Sequence, residues 1–232
     1  MIGLARLDND LAGWLDRTLV VPGVLPPERF EEAFVAIVTS GAPDPEDAWL
    51  AFYRNTLDAL RGDPEPGGTN AQLKPVHERA EELAVGSVLE LGSCFGFLAL
   101  RLAQAGHEVT ATDLVPGTVG LLGRMAPRLG LAVDTLVADA RDVPLPDGHA
   151  DTVLAVHLLE HLPAEEGKAV LAEGIRLARR RVVVAVPFED EPNETWGHVT
   201  TFDEAALHEL GATTGLRYEV SAHHGGWLIL DR

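Results

Sequence analysis

The chain has 232 residues, with 36 acidic against 18 basic side chains and a net charge of −18. That balance argues against nucleic acid and against anionic membrane surfaces, since both need clustered Lys and Arg to neutralise phosphate. The single cysteine rules out an internal disulfide and a cysteine metal cluster. With 46% hydrophobic and 23% charged residues the composition is globular. A start of MIGLARLDND lacks a basic segment followed by an apolar core, and no apolar run has the length of a membrane span. A cytoplasmic location is the expectation.

Residues 1–19 place Leu4, Leu7, Leu11, Trp14 and Leu15 at helical spacing. Pro22 and the pair Pro26-Pro27 interrupt. Residues 27–39 read as a helix with Phe30, Phe34 and Ile37 on one face. Asp44-Pro45-Glu46-Asp47 is a helix start: a capping side chain, proline in the first turn and acids near the positive end of the dipole. Trp49, Phe52, Tyr53, Leu57 and Leu60 continue that helix's apolar face. Residues 61–70 (RGDPEPGGTN) are expected to be a mobile linker. The chain thus divides into a helical extension with linker, 1–70, and a second domain, 71–232.

The second domain opens with an expected helix over residues 75–84, with Gln72, Lys74 and His77 just upstream of the next feature. Residues 87–91 are a short apolar run suited to a buried strand. It ends in Glu90-Leu91-Gly92-Ser93-Cys94-Phe95-Gly96, followed by a helix with Leu98, Leu102 and Ala105 on one face and Gly106 as its stop. A strand over residues 108–112 leads to Asp113. This is one right-handed βαβ unit. Its glycines allow backbone to approach a ligand at a helix N-terminus. An acid about 20 residues after the turn can accept hydrogen bonds from ribose hydroxyls. Glu90 adds a carboxylate before the turn, which suits an amino-bearing ligand and repels pyrophosphate.

A helix over 116–129, a strand over 132–138 ending at Asp139-Ala140, and a strand over 150–156 follow. After His157 comes Glu160-His161-Leu162-Pro163 and a helix to residue 178. Residues 181–187 (RVVVAVP) are the fifth strand. The loop 188–201 carries Trp196 and His198, Asp203 caps a helix over 204–214, and residues 216–222 and 227–231 form a hairpin around His223-His224-Gly225-Gly226.

The Glu90–Gly96 segment resembles the E/D-x-G-x-G-x-G motif of class I S-adenosylmethionine (SAM) methyltransferases, with Cys94 in place of the middle glycine. Asp139-Ala140 and Pro144-Leu145-Pro146-Asp147 resemble that family's next motif. The resemblance covers residues 73 to 232. It implies an α/β fold: a seven-stranded, doubly wound, mostly parallel Rossmann-like sheet whose last strand inserts antiparallel, with a helical N-terminal extension. It also implies SAM as cofactor and methyl transfer to a small-molecule acceptor, most readily a hydroxyl of a glycoside or natural-product intermediate. Glu90, Gly92, Ser93, Cys94 and Gly96 would hold the methionine part, Asp113 and Leu114 the ribose and adenine edge, Asp139 and Ala140 the adenine. His157 would line the cofactor. Glu160, His161 and His198 are the candidates for activating the acceptor. The turn GSCFGFLAL and the helical extension are further similar to the methyltransferases that modify the mycofactocin oligosaccharide. That likeness implies a glycan, or a glycosylated peptide-derived cofactor, as acceptor.

Glu189-Asp190-Glu191 with Glu160 could offer oxygens to magnesium. A run of three acids is more often a solvated loop, so no metal ligand is assigned. Two other functions remain open on the residues alone: a NAD-dependent oxidoreductase, which would want G-x-G-x-x-G, and a non-catalytic protein of the same fold that binds a partner.

Overall fold

The structure, a computed structural model, describes residues 3–232, the Glu194 side chain aside. The chain divides into two compact units, one reaching to Pro75 and one starting at Val76.

The first unit is helical. A 3-10 turn at Leu4–Arg6 is followed by α1 (Asp10–Leu15), α2 (Phe30–Thr39), α3 (Pro45–Arg61) and the first turns of α4 (Thr69–Leu83). Its core is aromatic: Phe52 meets Phe34, Trp49 and Tyr53 edge-on, with ring centroids 5.4–5.9 Å apart. Asp44 caps α3 by accepting from the Glu46 N–H at 2.9 Å, as its sequence requires.

Three expectations for this unit are corrected. Residues 1–19 are not one helix. The Asp8 carboxylate accepts from the Asp10 N–H at 2.9 Å, so the chain makes a side-chain turn before α1 starts. Leu7, Leu11 and Leu15 are buried, but Trp14 and Leu4 are exposed. Residues 61–70 are not all linker. α4 begins at Thr69, the Asp10 carboxylate accepts from the Asn70 N–H at 2.7 Å, and Asn70 is fully buried. α4 therefore starts six residues earlier than expected and carries Pro75 inside it.

The second unit holds β1 (Val88–Leu91), α5 (Phe97–Gln104), β2 (Val109–Asp113), α6 (Pro116–Arg128), β3 (Asp134–Val137), β4 (Ala150–Val156), α7 (Ala164–Leu177), β5 (Ala178–Val186), α8 (Glu204–Ala212), β6 (Arg217–Ala222) and β7 (Gly226–Asp231). The seven strands run in the order β3-β2-β1-β4-β5-β7-β6. The first five pair parallel, and β7 lies antiparallel between β5 and β6. β1, β4 and the second half of β5 are nearly continuous Val, Leu and Ala runs because helices cover both faces of a parallel sheet. β5 begins three residues earlier than its apolar run suggests. Ala178 pairs with Ala150 ahead of a register shift, and the polar Arg179 reaches out to Asp151 at 2.9 Å.

The chain order reverses between β1 and β4, whose connections leave in opposite directions along the sheet. That reversal opens a crevice at the carboxyl ends of the strands, where open α/β sheets bind ligands. The loop after β3 is pinned to α7. The Glu173 carboxylate accepts from the Val143 N–H at 2.7 Å, and the Arg176 guanidinium donates to the carbonyls of Val143 and Leu145 at 3.0 and 2.9 Å. Arg176 also holds the Glu173 carboxyl below its ordinary range.

Replacing Glu173 with Ala strands a buried N–H and removes one anchor of Arg176. The expected loss is about 2 kcal/mol, read as a fall in Tm of about 4–8 °C. An unchanged Tm would show that this clamp does not hold the loop.

Candidate functional site

β1 ends where the backbone must turn sharply under a helix. Gly92 and Gly96 have φ of +70° and +75°, and a Cβ on Gly92 would meet Leu158 at 2.7 Å. Cys94 replaces the expected middle glycine yet takes the same left-handed conformation, φ +49°. The loop therefore keeps the path a glycine would give it, at a cost of about 1 kcal/mol. The turn is closed by the Ser93 N–H on the Thr112 carbonyl at 2.8 Å and the Gly96 N–H on the Ser93 carbonyl at 2.7 Å.

Asp113, the last residue of β2, spans two turns. Its carboxylate accepts from the Cys94 N–H at 2.8 Å and from the Val115 N–H at 2.9 Å. Beside it Leu114 and Val115 stand exposed, 65% and 47%, an apolar surface next to an acid. The Ala138 N–H bonds the Asp113 carbonyl at 3.0 Å, which brings the end of β3 to the same edge.

Glu90 lies wholly within β1 and is 4% exposed. Burial pushes its carboxyl up to about 8; the Ala99 N–H pulls the other way, and the Asp113 charge adds to the rise. One Glu90 carboxylate oxygen and the Ser93 hydroxyl are buried without a hydrogen-bond partner, as is Nδ1 of His77 on α4. Buried polar atoms are nearly always paired, so an orphaned set beside a glycine turn marks a place for a ligand. Burial, then the charge of Arg101, then His157 hold His77 neutral, down to about 3.

Asp139 is at the expected strand end, but its carboxylate is not free. Arg141 grips it through Nε at 2.9 Å and Nη2 at 2.6 Å, and its backbone N–H adds a bond at 2.9 Å. These bonds take the Asp139 carboxyl down to about 2. Arg141 in turn reaches Glu166 at 2.6 Å. Ala140 is half-buried against the core.

Across the crevice, β4 runs into His157, which has φ +53° and donates its N–H to the Ala185 carbonyl at 2.8 Å. Burial and the neighbouring His198 and His161 take its imidazole down to about 4. The next turn brings Glu160 and His161 against the loop after β5. The Glu160 carbonyl accepts from the Val199 and Thr200 N–H groups at 2.8 and 3.1 Å, and the Thr200 hydroxyl donates to the Leu162 carbonyl at 2.7 Å. The His161 and His198 rings therefore meet edge-on, centroids 4.9 Å apart. Nδ1 of His198 lies 2.6 Å from a Glu189 carboxylate oxygen, and Nδ1 of His161 lies 3.3 Å from the Gly197 carbonyl. A carbonyl and a carboxylate accept, so each Nδ1 donates and each Nε2 lies outside these bonds. Glu160 is 1% exposed, and neither of its carboxylate oxygens has a hydrogen-bond partner. Burial, with the Glu189 charge adding, lifts its carboxyl to about 8.

The structure thus gathers Glu90, Ser93, Cys94 and Asp113 on one side of the crevice, and His157, Glu160, His161 and His198 on the other. Sequence spacing missed Glu189 as the partner of His198. The acidic run that contains it was the only signal, and it reads equally as solvated surface. His223 and His224 are exposed in their turn, as expected. A cavity of about 180 Å³ near Ser87, Asp134 and Arg179 lies at the opposite, amino-terminal edge of the sheet, away from these residues. Among the described residues, no helix is long and apolar enough to cross a membrane.

Residues 89–186 match a family model described as a methyltransferase domain, less than half of the chain. The chain is 36% identical over 83 residues to the ubiquinone biosynthesis O-methyltransferase of Xanthomonas euvesicatoria, a stretch that covers 35% of each protein. It is 34% identical over 128 residues to the demethylmenaquinone methyltransferase of Thermus thermophilus, covering 52% of this chain and 55% of that one. The chain thus spans about a third to a half of the length of these curated relatives. The magnesium protoporphyrin IX methyltransferase of Synechocystis, solved with bound S-adenosylhomocysteine (SAH), superposes with a TM-score of 0.55 at 19% identity, covering 77% of this chain and 92% of that one. At that identity the likeness is one of fold, and the fold of this chain is that of the class I methyltransferases.

Glu90 supplies a pH test of the site. Its folded carboxyl is raised above the unfolded value, so it costs no stability below pH about 4.5. The cost grows as pH rises from there and is complete above about 8. Glu90→Gln should therefore raise the Tm of the free protein by about 3 °C or more at pH 8.5 and leave it nearly unchanged at pH 4.5. An equal shift at both pH values would show that Glu90 is not a buried carboxyl of raised pKa.

Proposed function

We propose that this chain is a SAM-dependent methyltransferase that methylates a hydroxyl of a small-molecule acceptor, a glycoside or natural-product intermediate being the class that fits best. The observation that carries this reading is the buried Glu90 carboxyl on β1, with an unpartnered oxygen beside the unpartnered Ser93 hydroxyl, at the turn that Asp113 closes. A pyrophosphate would bring neither a donor nor a positive charge to these acceptors. The amino group of a methionine moiety, with a sulfonium close by, would complete the orphaned acceptors. This polar set fits SAM.

In this reading Glu90 and the turn from Gly92 through Ser93 and Cys94 to Gly96 hold the methionine part. Asp113 accepts from the ribose hydroxyls with lone pairs that Cys94 and Val115 leave unused. Leu114 offers an apolar face to adenine. Ala140 contributes backbone on the other side, while Asp139, already saturated by Arg141, fixes that loop and contributes less to adenine than its position suggests. His157 lines the cofactor on the acceptor side, where its neutral ring adds no repulsion to a sulfonium.

SAM supplies an activated methyl group. The protein's part is to align the acceptor oxygen with the methyl carbon and sulfur and to exclude water. A hydroxyl is a poor nucleophile at neutral pH, so it must lose its proton or be polarised as it attacks. The Glu160–His161–His198 group has the lone pairs for this, and it sits across the crevice from Glu90. The family match over residues 89–186 and the relatives' methyltransferase activities support methyl transfer; the acceptor class rests on the resemblance to the mycofactocin oligosaccharide methyltransferases.

Asp113→Ala should weaken SAH binding by about tenfold or more in calorimetry; unchanged affinity refutes the ribose assignment. SAM binding should release about one proton near pH 7 as Glu90 ionises against the amino group. Calorimetry in buffers of different ionisation enthalpy reads that proton, and Glu90→Gln should abolish its release. His198→Ala should lower labelled-methyl incorporation into a panel of hydroxylated acceptors about 100-fold, while changing SAH affinity by less than about threefold. Equal losses in both would place His198 on the cofactor.

A further inference from the structure

The geometry points to a mononuclear site for a divalent first-row transition metal, formed by Glu160, His161 and His198 and directed at the acceptor's oxygen. Their candidate donor atoms all lie within 4.8 Å of one another. Donors on one ion at about 2.1 Å lie about 3–4 Å apart, so small side-chain rotations close the set. Three independent features support it. Both imidazoles are held with Nδ1 outward, on the Glu189 carboxylate and the Gly197 carbonyl, which leaves two Nε2 lone pairs. The His198–Glu189 contact is the carboxylate–histidine arrangement that orients metal-bound histidines. And Glu160 is buried with both carboxylate oxygens unpartnered, a state a cation would relieve. The loop after β5 is fixed to the turn after β4 through the Glu160 carbonyl, so the three donors sit on a braced scaffold.

Two imidazoles and one carboxylate select a transition ion; magnesium prefers an all-oxygen shell. Three protein ligands leave positions open for an acceptor hydroxyl or a vicinal pair. This inference deepens the methyltransferase reading and rests on it for the acceptor's role, though not for the metal. A coordinated hydroxyl would give its proton to water, as zinc-bound water does near neutrality. The oxygen would then form a bond to the methyl carbon while the carbon–sulfur bond breaks and its electron pair stays on sulfur. The two histidines act here as ligands, and no protein base is required.

The test uses the full-length, tag-free protein after chelator treatment and dialysis. Titration with Zn²⁺ in the calorimeter should give one ion per chain, Mg²⁺ should bind at least about 100-fold more weakly, and Co²⁺ should give visible absorption bands of mixed nitrogen and oxygen ligation. Glu160→Gln and His198→Ala should each weaken Zn²⁺ about tenfold or more, and Glu189→Gln should do so through His198. A His223→Ala/His224→Ala double variant should bind like the parent. Glu160→Gln keeps the shape of a buried side chain whose oxygens have no partner, so its fold should survive, with an undiminished Tm. Absence of stoichiometric Zn²⁺ binding, equal Mg²⁺ affinity, or binding lost only in the His223/His224 variant overturns the site. SAH titration of the same metal-free protein separates the two readings. Metal bound without SAH supports this site and removes the methyltransferase reading, whereas SAH bound without metal overturns this site alone.

Discussion

The Asp113 carboxylate links the turn after β1 to the turn after β2. Its bond to the Cys94 N–H holds a non-glycine residue in left-handed backbone, and its bond to the Val115 N–H sets the start of α6. That carboxylate offsets part of the strain at Cys94. In the proposed reading, the oxygens that organise the loop would also be the acceptors for a ligand's hydroxyls. The site is thus preorganised by the group that is to bind, which limits the ordering cost of binding.

Much of the parallel half was legible in the sequence for local reasons. The βαβ unit from β1 to β2 is written in residues that obey one rule each: an apolar run, glycines at positive φ, a helical stripe, an acid at a strand end. The capped start of α3 is equally local, because Asp44 and Pro45 act within one turn. The reading failed where a long-range partner decided the outcome. Asp10, sixty residues away, draws Asn70 into α4, and no composition rule in RGDPEPGGTN foretells it. β5 starts at Ala178 because Ala150 is there to pair with it.

The site shows the same division. Glu90, Asp113 and His157 are fixed by position at strand ends, and the sequence places them. Asp139 is also at a strand end, yet its chemistry is set by Arg141, whose side chain folds back two residues and takes both oxygens. Glu160, His161 and His198 come from two loops 37 to 38 residues apart, and bonds between those loops, chiefly from the Val199 and Thr200 N–H groups to the Glu160 carbonyl, explain why they meet. Periodicity carries no information about such a junction, so the sequence offers the three residues without their mutual geometry.

Two buried carboxyls, Glu90 and Glu160, stand on opposite sides of the crevice, and both are lifted to about 8 by burial. In the free protein both are protonated at neutral pH, so neither acts as a base until something positive arrives. A cation at either place repays the desolvation of the carboxylate it meets and converts a destabilising burial into a binding energy. At Glu90 the cation would be an ammonium group with a sulfonium near it; at Glu160 it would be a metal ion. The two carboxyls would therefore favour cationic occupants on both sides of the crevice.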